Sequence, residues 1–145
     1  MGVSGDAMPG TRAGPRDAIL LIEDDHEIRD ALRELLQDAG HRVFGARDGQ
    51  EALEMLETGA IPRPCLVLLD WVMHPMSGPE FLEVLQRRPD VAHLRVVVIS
   101  GASNLEQARS HPSVVGVLQK PFDIDELLAV AQRHCGITES HAAAS

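Results

Sequence analysis

Five residues in this 145-residue chain have the types and the placing to do chemistry together. They are Glu23 and Asp24, then Asp70, Ser100 and Lys120. Each stands directly after a short apolar run: Ala18-Ile19-Leu20-Leu21-Ile22 before the acid pair, Leu66-Val67-Leu68-Leu69 before Asp70, Val96-Val97-Val98-Ile99 before Ser100, and Val114 to Leu118 shortly before Lys120. Short unbroken apolar runs bounded by turn signals read as strands buried on both faces. In open α/β sheets, sites form beyond the carboxyl ends of such strands. Three carboxylates crowded on one edge repel unless a cation lies among them, and oxygen-only ligands favour a hard ion such as Mg²⁺. A carboxylate can itself be the nucleophile toward phosphorus, giving an aspartyl phosphate. Transfer of a phosphoryl group needs positioning and charge neutralisation above all. Mg²⁺ and the Lys120 ammonium would supply the charge, and the Ser100 hydroxyl one hydrogen bond. Taken alone, Asp70 would be read as an acid that only caps the next turn.

The elements that must hold these residues alternate along the chain. A helix is expected from Glu27 to Ala39, with Ile28, Ala31, Leu32, Leu35 and Leu36 at helical spacing and Gly40 as its stop. His41 to Ala46 reads as a second strand. Asp48 caps a helix running to Thr58, and Gly59 ends it. After Asp70 comes a loop, Trp71 to Gly78, and then a helix to Arg87 with Pro79 in its first turn. A short helix from Asn104 to Ser110 precedes the fifth strand. Asp123 and Glu126 have capping-box spacing for a last helix ending near Cys135 and Gly136. Five strand–helix units of this kind imply a parallel sheet with helices on both faces, an α/β fold.

Composition sets the outer limits. Apolar residues make up 44% and charged residues 24%, as in an ordinary globular chain. The net charge of −9 excludes the basic stripe that nucleic acid requires, so no nucleic-acid partner is expected. No apolar stretch is long enough for membrane insertion, and the N-terminus lacks the apolar core of a secretory signal. Aromatics are 3%, too few for a base-stacking platform. The seven histidines are scattered with no zinc-like spacing. Cys65 and Cys135, with no CxxC, read as two small apolar fillers in a reducing cytosol. Residues 1–17 read as a flexible tail, 18–136 as the single folded domain, and 137–145 as a C-terminal tail.

Four segments together carry a family resemblance: Leu-Leu-Ile-Glu23-Asp24-Asp25, Leu-Leu-Asp70-Trp-Val-Met73 with Gly78, Ile-Ser100-Gly101, and Lys120-Pro121-Phe122. In this order, each at a strand exit, they resemble the receiver domain of bacterial two-component response regulators. The resemblance covers residues 18 to about 136. It implies a flavodoxin-like sheet of order 2-1-3-4-5 and a stand-alone phosphoacceptor in a phosphorelay. By resemblance Asp70 is the phosphoacceptor, and Asp24, Glu23, Asp70 and the backbone carbonyl of Val72 hold Mg²⁺. Lys120 meets the phosphoryl group, through a strand exit whose bond to Pro121 is cis in the family, and Ser100 is the hydroxyl residue. The implied partners are a histidine kinase or phosphotransfer protein and a downstream protein target, and the implied location is cytoplasmic. Such a protein is no conventional enzyme; it catalyses at most its own phosphorylation and dephosphorylation. Asp25 is read as a helix-capping acid.

The chain also departs from the family pattern. His74 precedes Pro75 where the family has Pro directly after Met73. Val117 stands where an aromatic residue usually swings inward in the family, so an aromatic rotamer switch cannot operate, and either the signal travels through Gly101-Ala102-Ser103-Asn104 or the domain signals weakly. Val72 and Ala102 are apolar at positions near the hydrolytic water, which implies a long-lived phosphoryl group. The alternative function is a receiver-like binding module that signals without phosphate. A phosphohydrolase with an Asp nucleophile would carry a DxD motif after the first strand, which Glu23-Asp24-Asp25 does not match. A flavin-binding flavodoxin would need a Ser/Thr-rich phosphate loop where this chain has acids.

Overall fold

The computed structural model describes residues 18–61, 63–101 and 105–136. The elements run β1 (Ala18–Ile22), α1 (His26–Asp38), β2 (Arg42–Ala46), α2 (Gly49–Thr58), β3 (Pro64–Asp70), α3 (Gly78–Gln86), β4 (Val96–Ser100), α4 (Glu106–Arg109), β5 (Val114–Gln119) and α5 (Ile124–Cys135). All strand pairs are parallel, and the sheet order is β2-β1-β3-β4-β5. The expected α/β architecture and strand order are therefore present.

Burial explains why the three central strands were readable as continuous apolar runs. Every residue of β1 and β4 is buried, whereas β2 and β5, at the sheet edges, are half exposed. Successive side chains point to opposite faces, so the central strands feed two cores. Leu20, Ile22, Val67, Leu69, Val96 and Val98 pack with Phe81, Leu82 and Leu85 of α3 on one face. Ile19, Leu21, Leu66, Leu68, Val97 and Ile99 pack with Leu32 and Leu36 of α1 and Leu127 and Ala131 of α5 on the other. Burying each such side chain contributes about 1.5–3 kcal/mol. This two-sided packing fixes the strand exits that carry the polar residues.

Helix boundaries follow their caps. Asp25 Oδ1 accepts from Glu27 N (2.9 Å) and Ile28 N (3.1 Å), so the acid beside the Glu23-Asp24 pair is occupied by α1. Asp48 Oδ1 accepts from Glu51 N at 2.8 Å. Asp123 and Glu126 form the expected capping box, and a second one joins Ser77 and Glu80 at the start of α3. Its Ser-x-x-Glu signature was present in the sequence. Gly59 and Gly136 close α2 and α5 in left-handed conformation.

Two differences from the sequence expectations stand out. The strand before Asp70 begins at Pro64, because a proline at the first strand position has no ladder N–H to lose; the β1–β3 register shifts there, between Ala18 and Ile19. The short helix before β5 is only Glu106–Arg109, and Ala102, Ser103 and Asn104, expected to form part of a signalling loop and the start of that helix, lie outside the described residues. Both tails, 1–17 and 137–145, lie outside them too.

The cysteine reading is corrected. Cys65 and Cys135 are not two separate apolar fillers; they form a disulfide across 70 residues of sequence, with Cα atoms 5.3 Å apart. The register shift at the entry of β3 presents Cys65 to the last turn of α5. Neither spacing nor local pattern encodes that meeting.

Candidate functional site

The acids are brought together by two strands with a crossover between them. β1 and β3 are neighbours at the centre of the sheet, and Ile22 pairs with Leu69, so Glu23 and Asp70 emerge side by side. The backbone around each is tied down. Glu23 N donates to Ala46 O at 3.0 Å, and Arg29 Nη1 donates to Glu23 O at 2.8 Å. Trp71 N donates to Ile99 O at 3.0 Å, and Lys120 N donates to Ser100 O at 2.8 Å. The exits of β3, β4 and β5 are thus locked to one another by main-chain hydrogen bonds.

Ligand oxygens of Glu23, Asp24 and Asp70 all lie within 4.8 Å of one another. Glu23 and Asp70 are buried, whereas Asp24 is exposed, so the cluster opens to solvent on the Asp24 side. Glu23 Oε2 accepts from Asp25 N at 3.1 Å, while Glu23 Oε1 is buried with no hydrogen-bond partner. An orphaned buried carboxylate oxygen is costly, and it belongs to one of the three acids of the cluster. Burial pushes the Glu23 carboxyl up to about 7; the Asp25 N–H opposes the rise and the neighbouring Asp70 carboxylate adds to it. Burial likewise raises Asp70, against the pull of the Lys120 ammonium. Without a cation the two buried carboxyls therefore hold protons more tightly than free ones.

The structure brings Glu23, Asp24 and Asp70 into one cluster and sets the Lys120 charge within electrostatic reach of both buried acids. Ser100 is buried as the last residue of β4, next to the strand whose exit carries Asp70. Val72 N donates to Asp70 Oδ1 at 3.4 Å, and Val72 is 61% exposed. Val117 is partly buried against the α3-side core.

The loop after Asp70 turns on a close approach. Gly78 N donates to Trp71 O at 3.0 Å, and a Cβ at Gly78 would lie 2.7 Å from Trp71 Cε3 and 2.9 Å from Trp71 O. Only glycine fits against that backbone. Gly78 was noted in the sequence as a family match, but its contact with Trp71 was not readable. The bonds His74–Pro75 and Lys120–Pro121 are both cis; the second agrees with expectation.

Residues 19–132 match the family model described as the response regulator receiver domain. Protein Rrf1 of Nitratidesulfovibrio vulgaris is 32% identical over 115 residues, which is 79% of this chain and 80% of that protein. Sporulation initiation phosphotransferase F of Bacillus subtilis is 29% identical over 121 residues, or 81% of this chain and 93% of that one. Among solved structures, response regulator protein TrrA of Thermotoga maritima, in complex with Mg²⁺ and BeF, superposes with a TM-score of 0.69 at 26% identity, covering 81% of this chain and 97% of TrrA.

Proposed function

This chain belongs to the response regulator receiver domain family, and we propose that it is the phosphoacceptor of a two-component phosphorelay, phosphorylated on Asp70. The observation that carries this reading is the meeting of Glu23, Asp24 and Asp70 within 4.8 Å on the sheet edge that also holds Lys120. The Asp70 carboxylate attacks phosphorus in line as the bond to the donor breaks and the donor takes the electron pair. Lys120 meets the charge on the phosphoryl oxygens, and the Ser100 hydroxyl donates to one of them.

The site suits Mg²⁺. Its donors are all oxygens, and the buried Glu23 Oε1 has no other partner. Glu23, Asp24, Asp70 and the Val72 carbonyl would hold the ion, which supplies charge neutralisation for transfer when bound. The Mg²⁺ and BeF in the TrrA structure and the phosphotransferase name of the Bacillus relative support the same assignment.

The receiver unit is taken as residues 18–136, acting in the cytoplasm with a histidine kinase or phosphotransfer protein upstream and a protein target downstream. No described helix is long and apolar enough to cross a membrane. Its chemistry is limited to gaining and losing its own phosphoryl group. The exposed, apolar Val72 has no group to orient a water, which supports slow loss of phosphate. Val117, in place of an aromatic, favours a second reading, a binding module that signals without phosphate.

The test is incubation with Mg²⁺ and phosphoramidate, followed by intact mass measurement. One phosphoryl group is expected on the wild type and none on Asp70→Asn. A gain that survives Asp70→Asn, or no gain at all, would overturn the assignment. If the downstream output is unchanged in Asp70→Asn, the phosphate-independent reading replaces it.

A further inference from the structure

The two cysteines take no part in the acidic site and lie at the opposite end of the sheet. Cys65 enters β3 where the β1–β3 register shifts. Cys135 is the last residue of α5, just before Gly136. Their Cα separation of 5.3 Å is in the ordinary range for a bridged pair. Both are partly buried against the α1–α5 core, so two reduced thiols would also fit there as small apolar groups.

The bond falls at the end of α5 remote from the acidic site. Of the twelve residues of α5 only Leu127 and Ala131 are fully buried. Both lie before the last turn, which consists of exposed Gln132 and Arg133, then His134 and Cys135. Within that turn Cys135 packs against the α1–α5 core and is joined covalently to the sheet through Cys65. The other end of α5 starts four residues after Lys120, across Pro121, Phe122 and Asp123. The helix thus spans from the edge of the acidic site to the bridge.

We propose that Cys65 and Cys135 are a reversible thiol–disulfide clamp that makes the seating of the α5 C-terminal turn depend on redox state. Reversibility rests on the cytoplasmic phosphorelay reading, because disulfides in a reducing compartment are characteristically transient. A dithiol reductant opens the clamp in two steps. Its thiolate attacks one protein sulfur, breaking the S–S bond and forming a mixed disulfide. That step releases the other protein sulfur as a thiolate, and the reductant's second thiol then displaces the attacked protein sulfur from the mixed disulfide. The protein gains two electrons and two protons, and the reductant leaves as a cyclic disulfide. A disulfide oxidant such as oxidised glutathione reverses the exchange.

The test uses the folded full chain in dithiothreitol or in oxidised glutathione. Iodoacetamide labelling is read by intact mass, and hydrogen exchange by peptide mass. The reduced protein is expected to take two labels and the oxidised protein none, as a monomer free of glutathione adducts. Amides in the last turn of α5 are expected to exchange at least tenfold faster when reduced, with β4 unchanged. The Cys65→Ser/Cys135→Ser variant should show the fast pattern under both conditions; should it fail to fold, the reduced wild type provides the comparison. Two labels after oxidation, a stable glutathione adduct, a bond that resists dithiothreitol in the folded chain, or equal exchange in both states would each overturn the clamp. None of these readouts involves phosphate, so failure of the Asp70 assignment is separately visible.

Discussion

Glu23→Gln is expected to stabilise the metal-free protein at alkaline pH while weakening its response to Mg²⁺. The wild-type carboxyl is raised from 4.5 to about 7, chiefly by burial. Its folded value lies above its unfolded value, so the ionised form opposes folding. That cost is absent below pH 4.5, grows as pH rises toward 7, and is complete above 7. At about 1.4 kcal/mol per pH unit of displacement, it amounts to roughly 3 kcal/mol. Glutamine has the same shape and its side-chain oxygen can still accept from Asp25 N, but it carries no charge. Part of the gain goes to Asp70, which loses a like-charged neighbour. Urea unfolding at pH 8 in a chelator should show the variant more stable by about 1–3 kcal/mol, a midpoint shift of about 1 M with an unchanged slope. At pH 5 the difference should shrink to about a quarter of that. Adding Mg²⁺ should reverse the order, since at a hundredfold excess over its dissociation constant a ligand stabilises by about 2.7 kcal/mol, and the variant lacks one of the carboxylates proposed to hold the ion. A variant no more stable than wild type at pH 8, or a gain independent of pH, would refute the account of Glu23 as a buried, cation-seeking carboxylate.

Other perturbations separate neighbouring roles. Gly78→Ala forces a methyl against Trp71, so it should destabilise by about 1–3 kcal/mol and slow Asp70 phosphorylation, read by urea unfolding and by a mass time course. Asp25→Ala removes the α1 cap and should cost about 0.5–2 kcal/mol while Mg²⁺ affinity stays near wild type; a large loss of affinity would make Asp25 a ligand. Phe81→Ala, from a fully buried ring, should cost about 3–5 kcal/mol in the same unfolding assay.

The parts of this fold that were legible in the sequence are those with local causes. β1, β3 and β4 are buried on both faces, so their aliphatic runs stood out. Glu23, Asp70 and Ser100 were visible because each interrupts such a run at its carboxyl end. Asp25, Asp48 and Asp123 announced helix starts by position alone. What stayed hidden depends on residues far apart meeting in space. The Cys65–Cys135 bond needs both the register shift at the entry of β3 and the length of α5. The tight fit of Gly78 on Trp71 needs the loop path. The raised Glu23 carboxyl needs the burial that only the closed sheet edge gives. The four-residue α4 has too few apolar residues for periodicity to mark its ends.

The central claim is that Asp70 accepts the phosphoryl group. Borohydride reduces an aspartyl phosphate to homoserine, so reduction after Mg²⁺-dependent phosphorylation, followed by peptide sequencing, names the acceptor directly. The account predicts homoserine at position 70 and nowhere else. Homoserine at Asp24 or another acid, or an unaltered Asp70 in protein that carries phosphate, would contradict it.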